Sequence, residues 1–146
     1  KGNAIGNSTV IVRKKLLTKV GGISEDKNMV ASEDYNTWLR IAALTERFRY
    51  LPKSLGCYQV HLNGVSQRDI SKSDYVAIAE FKDQLTPEQL GETEKLLSYA
   101  SGRFNYLKRE YTSAELALKK ALPLKNVMIM VKAITMLAII FVIKKT

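Results

Sequence analysis

The stretch Ser8-Thr9-Val10-Ile11-Val12-Arg13 decides the reading of the fold. Thr9, Val10, Ile11 and Val12 are all β-branched, which suits a pleated, half-buried surface better than a helix. Residues 8–13 are therefore predicted as a short strand. Residues 14–20 follow as a short helix with Leu16, Leu17 and Val20 on one face. Gly21-Gly22 supplies the left-handed stop expected just past a helix end. Residues 23–31 are a polar loop holding Glu25, Asp26 and Lys27.

Working outward, Ser32 is a good N-cap, with Glu33 and Asp34 in the first turn, where negative charge suits the helix dipole. The helix is expected to reach about Leu44 with Tyr35, Trp38, Leu39 and Ala42 as its core-facing stripe. Residues 47–51 and 55–61 read as two further strands around Pro52-Lys53-Ser54, and 62–69 is rich in turn residues, including Asn63-Gly64. The first 69 residues thus read as α/β, or α+β. From Ile70 the pattern becomes helical: 70–84, then a helix opening on Thr86-Pro87-Glu88 and reaching about Lys108, then 112–122 and 125–145. The natural boundary lies near residue 70, giving units 1–69 and 70–146.

The chain has 146 residues, 46% hydrophobic and 25% charged, which is the size and balance of one folded domain. Its net charge of +9 is spread out, with 12 basic against 6 acidic residues in 1–73 and 11 against 8 in 74–146. No nucleic-acid motif accompanies that charge, so nucleic acid is not an expected partner. Cys57, the single cysteine, has no partner for a disulfide or a metal cluster, and its apolar surroundings from Leu55 predict a buried thiol. The opening Lys1-Gly2-Asn3-Ala4 has no initiator Met or signal peptide, so the sequence is expected to be part of a longer chain.

Three motifs occur in order. The first is Asn7-Ser8-Thr9-Val10-Ile11-Val12-Arg13-Lys14 leading to Leu17-Thr18-Lys19-Val20-Gly21-Gly22-Ile23-Ser24-Glu25. The second is Glu33-Asp34-Tyr35-Asn36-Thr37-Trp38-Leu39-Arg40. The third is Tyr50-Leu51-Pro52, Leu55 and Tyr58-Gln59-Val60-His61 with Ser66. Together they resemble the second half of a family 2 glycosyltransferase domain of the GT-A type. Ile23 stands where the family has an aromatic, and Gln59 where it has an arginine. The resemblance covers residues 3–66.

That resemblance implies a partial GT-A, Rossmann-like domain followed by a helical extension. It implies an inverting enzyme that moves a sugar from a nucleotide-sugar donor to a glycan or lipid-linked acceptor, in building a cell-surface polysaccharide. Inversion needs a base to take the acceptor hydroxyl's proton. By resemblance Asp34 is that base and Glu33 orients the acceptor or the loop; capping of the helix is the alternative for both. Trp38 and Arg40 are implied acceptor contacts, with core packing the alternative for Trp38 and a solvated ion pair for Arg40. His61 is implied near the donor diphosphate or its divalent cation, Mg or Mn, with a surface histidine at a strand end the alternative. The family's Asp-x-Asp metal motif occurs nowhere in the sequence. It belongs to the family's N-terminal half, which is expected to hold most of the cation and to leave 1–146 alone inactive.

Two expectations concern the helical part. Gly102, Tyr111, Ala114, Leu118 and Ala121 have the small and large positions of one tetratricopeptide-like pair, or of an ordinary helical hairpin. Residues 127–143 are apolar except for Lys132 and Thr135, and Lys144-Lys145 follow. This suits a helix at a membrane surface, through 125–146, and a peripheral place on the cytoplasmic face. Packing against a further protein domain is the alternative, as is a non-catalytic helical module that carries a degenerate transferase remnant.

Overall fold

The computed structural model describes residues 3–57, 59, 64 and 68–145. Its helices are α1 (Lys14–Lys19), α2 (Glu33–Leu44), α3 (Ser71–Ile78), α4 (Pro87–Leu107), α5 (Tyr111–Ala121) and α6 (Val127–Ile143). Single 3-10 turns lie at Asn7–Thr9 and Lys27–Met29, and a longer one at Ala79–Gln84 prolongs α3.

No strand occurs among the described residues, so the α/β, GT-A Rossmann-like expectation is corrected to an all-α architecture. The physical reason is pairing. β-branched residues favour extended backbone, but a strand exists only when its N–H and C=O groups bond to a neighbour. Val10 and Arg13 have extended backbone, yet Ile11 is 103% exposed and Val10 and Val12 are only half-buried, so the run packs as no strand of a core sheet. Upstream of it, Asn7–Thr9 folds into a turn closed by Thr9 N–H on Gly6 C=O at 2.9 Å. Residues 47–51 and 55–57 fare likewise: Tyr50 and Leu55 are 86% and 77% exposed, and Cys57 is exposed rather than buried. The rest of the expected strand 55–61, with Tyr58 and His61, falls outside the described residues apart from Gln59.

The helix ends follow local chemistry. Gly21 and Gly22 have φ of +80° and +81°. Gly22 N–H bonds Leu17 C=O at 2.9 Å and Gly21 N–H bonds Thr18 C=O at 3.0 Å, which is the Schellman closure of α1. At α4, Thr86 and Gln89 exchange side-chain-to-backbone hydrogen bonds in a capping box, with Pro87 in the first turn.

Packing forms two linked groups. α1 and the Lys27–Met29 turn lie with α2 and α3, and α4 and α5 form a helical hairpin against which α6 packs. In the second group Ala114, Leu118, Ala133 and Ile140 are fully buried, flanked by Tyr99, Tyr106 and Met136. Gly102 of α4 faces Leu118 of α5; a Cβ there would lie 2.7 Å from Leu118 Cγ. Glycine is therefore what lets the two backbones approach. The groups meet where α3 packs on α4 and where Ser101 Oγ donates to Asp69 Oδ2 at 2.7 Å.

Candidate functional site

α2 turns a different face inward from the one its apolar spacing predicts. Ser32, Asn36, Thr37, Trp38 and Ile41 are buried, Tyr35 and Leu39 are half-buried, and Ala42 is exposed. The reason is polar. Ser32, Asn36 and Arg40 recur at intervals of four, so they share one side of the helix, and that side is bonded to α3 and its extension. Ser32 Oγ donates to Asp74 Oδ1 at 2.6 Å. Asn36 Nδ2 donates to Ala77 C=O at 2.8 Å and to Glu80 Oε1. Arg40 Nε donates to Asn36 Oδ1 at 2.8 Å and lies 3.8 Å from Glu80 Oε1. Each such bond stabilises by about 1 kcal/mol once made, and an unmet buried partner costs more.

Asp34 lies in the first turn of α2, half-buried. Its Oδ1 accepts from Asn3 Nδ2 at 3.2 Å and from the Tyr35 N–H at 2.7 Å. The carboxylate is thus oriented from two directions, by its own helix and by the N-terminal segment. Glu33, one position earlier, has a buried Oε2 with no hydrogen-bond partner. Ser32 occupies the N-cap position but does not cap; its hydroxyl goes to Asp74 instead.

The carboxyl groups around this helix start differ in character. Burial pushes Asp74 above the usual carboxylate range, the Ser32 hydroxyl opposes this, and the charges of Asp34 and Asp69 add to it. Burial alone would also raise Asp69. The Ser71 backbone and hydroxyl, the Ser101 hydroxyl and Lys72 together hold it below the usual range. Burial raises the Tyr35 phenol, helped by the charge of Asp74.

The other expected site residues are placed as follows. Trp38 is 7% exposed and its Nε1 is buried without a hydrogen-bond partner. Arg40 donates to the carbonyls of Val20 and Gly22 and to Asn36, closing the end of α1 against α2. The expected pairing with an acidic neighbour is also present, Arg40 Nε lying 3.8 Å from Glu80 Oε1. His61 lies outside the described residues. Among the described residues, no three His, Cys, Asp or Glu side chains converge as ligands for a metal ion.

Two participants escaped the sequence reading. Asn3 gave no signal, because nothing local links it to a residue 31 positions away. Asp74 did give one: Ser71, Asp74, Ala77 and Ile78 have the spacing of a buried helix face, and all four are buried. A carboxylate on such a face needs a donor on the opposing element.

Among the described residues the fold defines a helical protein whose carboxylate-bearing helix start is braced by polar contacts. Comparison of the chain with protein-family models, with curated proteins and with solved structures found no match.

Proposed function

We propose that residues 3–66 form the acceptor side of an inverting glycosyltransferase of the family 2 kind, with Asp34 as its general base. The observation that carries this reading is the motif order, with Glu33-Asp34 set between Val20-Gly21-Gly22 and Tyr58-x-x-His61. The placement of Asp34 supports it: a half-buried carboxylate in a helix's first turn, oriented through one oxygen by Asn3 and Tyr35.

In this mechanism the acceptor hydroxyl gives its proton to Asp34 while its oxygen bonds to the anomeric carbon of the donor sugar. The bond from that carbon to the diphosphate breaks, and the nucleoside diphosphate leaves with the electron pair. Glu33 orients the loop at the start of α2, because its buried Oε2 is closed to an incoming acceptor. Arg40 and the buried Trp38 position α2 rather than touch the sugar. The acceptor is a glycan or a lipid-linked glycan. The Mg or Mn ion expected with such a donor has no ligand set among the described residues.

The experiment is release of nucleoside diphosphate from a panel of nucleotide sugars by the complete gene product. Acceptor-dependent release from one donor is expected. No release from any donor would favour a second reading, a helical interaction module carrying transferase-like motifs. The all-α architecture of the described residues favours that reading.

A further inference from the structure

α6 is apolar on nearly every side, yet it packs by one. Ala133 and Ile140 are buried against α4 and α5, with Met136 and Leu137 beside them. On the far side Val127, Val131, Ile134 and Phe141 are 64%, 54%, 49% and 60% exposed, with exposed Ala138 among them. Steps of four and three residues set these five in a single line along the helix. A continuous apolar line of this kind marks a surface that meets something other than water.

The charge around it is one-sided. From Leu116 onward the chain has six lysines and no Asp or Glu. Lys119 and Lys144 pair with Glu115, and Lys125 pairs with Glu88. Lys120, Lys132 and Lys145 are exposed, and the Lys145 ammonium sits 4.3 Å from the Phe141 ring centroid, at the end of the apolar line. A second copy of the chain would bring the same lysines to the same seam, with no acid on α6 to meet them. An anionic bilayer surface offers both an apolar layer for the line and negative charge for the lysines. No helix among the described residues is long and apolar enough to cross a membrane. The 17 residues of α6 rise about 25 Å against roughly 30 Å of hydrocarbon.

We infer that α6 lies in the plane of an anionic membrane interface. Val127, Val131, Ile134, Ala138 and Phe141 seat at the acyl boundary, and Lys132 and Lys145 reach the headgroups. The opposite face, through Ala133 and Ile140, carries the α4–α5 hairpin above the surface. This arrangement does not depend on what Asp34 does.

The test is sedimentation of the full chain with phosphatidylcholine vesicles, with and without phosphatidylglycerol. Binding to the anionic vesicles is expected, weakening as salt rises. Val131→Glu with Ala138→Glu should reduce the partition at least about tenfold, and Lys132→Glu with Lys145→Glu about tenfold, since apolar seating and headgroup attraction both contribute. Circular dichroism checks that the variants stay helical; Val131→Ser with Ile134→Ser repeats the test should the glutamates unfold α6. Equal binding to neutral vesicles, no binding to anionic ones, or unchanged binding by the Val131 and Ala138 variant would overturn the assignment. So would a dimer that those glutamates dissociate in the absence of lipid binding, which would give the face to a second copy.

Discussion

Ser32 donates its hydroxyl hydrogen to the buried carboxylate of Asp74 across 2.6 Å, joining the start of α2 to the middle of α3. The hydroxyl sits where a helix cap is expected but does different work, since α2 begins without a side-chain cap. Removing it leaves a buried carboxylate oxygen without its donor. Ser32→Ala should therefore lower stability by about 1–3 kcal/mol, the cost of a buried polar group left unmet. Chemical denaturation read by tryptophan fluorescence measures this, because Trp38 is the only tryptophan and lies in α2.

The same pair predicts a pH dependence. Burial raises the Asp74 pKa in the folded protein, so the fold favours its protonated form. That contribution is full below the ordinary carboxylate range and is lost as pH rises through the raised value. Asp74→Asn keeps an acceptor for Ser32 without the charge. The variant should therefore gain stability relative to the wild type as pH rises from about 4 to about 8. Denaturation midpoints across that range check the sign; a gain growing toward acid would contradict the burial of a charge.

Gly102 gives a prediction against the usual trend. Alanine in a helix interior normally stabilises by about 1 kcal/mol over glycine. Here the added carbon would meet Leu118 Cγ at 2.7 Å and its backbone nitrogen at 3.0 Å. Gly102→Ala should instead destabilise by about 1–3 kcal/mol, as overpacking does. In a Leu118→Ala background the cost should shrink, because most of the clash is with the leucine side chain. Thermal melts of the two single variants and the double variant measure the coupling.

Arg40 and Gly21 act together at the end of α1. Arg40 donates to the Val20 and Gly22 carbonyls, and Gly21 holds φ at +80°. Gly21→Ala should cost about 1–2 kcal/mol for the left-handed backbone. Arg40→Lys should cost a similar ~1–3 kcal/mol, because one ammonium cannot reproduce the guanidinium's fixed set of donors. Both effects belong in unfolding measurements; a selective loss of acceptor binding by a fully stable Arg40→Lys would make Arg40 a sugar contact.

Helices were more legible than anything that depended on a distant partner. Thr86-Pro87 marked the start of α4, and Gly21-Gly22 the end of α1, because capping and left-handed turns are local. The β-branched run Thr9–Val12 misled because propensity describes a fit to a sheet and cannot supply the sheet. The α2 stripe holds at Trp38, which is buried, and fails at Ala42, which is exposed, for a related reason. Tyr35, Leu39 and Ala42 have helical spacing, but the hydrogen bonds of Ser32, Asn36 and Arg40 to α3 rotate the helix toward its polar side. At the candidate site Glu33-Asp34 was visible from sequence, whereas Asn3, which helps to orient Asp34, was not.

Whether Asp34 takes the acceptor's proton is tested by turnover of the Asp34→Asn variant in the complete gene product. Asparagine keeps the shape and an oxygen that accepts from Asn3 and Tyr35 N–H, so folding should be spared. Loss of the base should lower kcat by about a hundredfold or more with little change in stability. Turnover near that of the wild type would rule Asp34 out as the base and leave it as a residue that merely suits the start of α2.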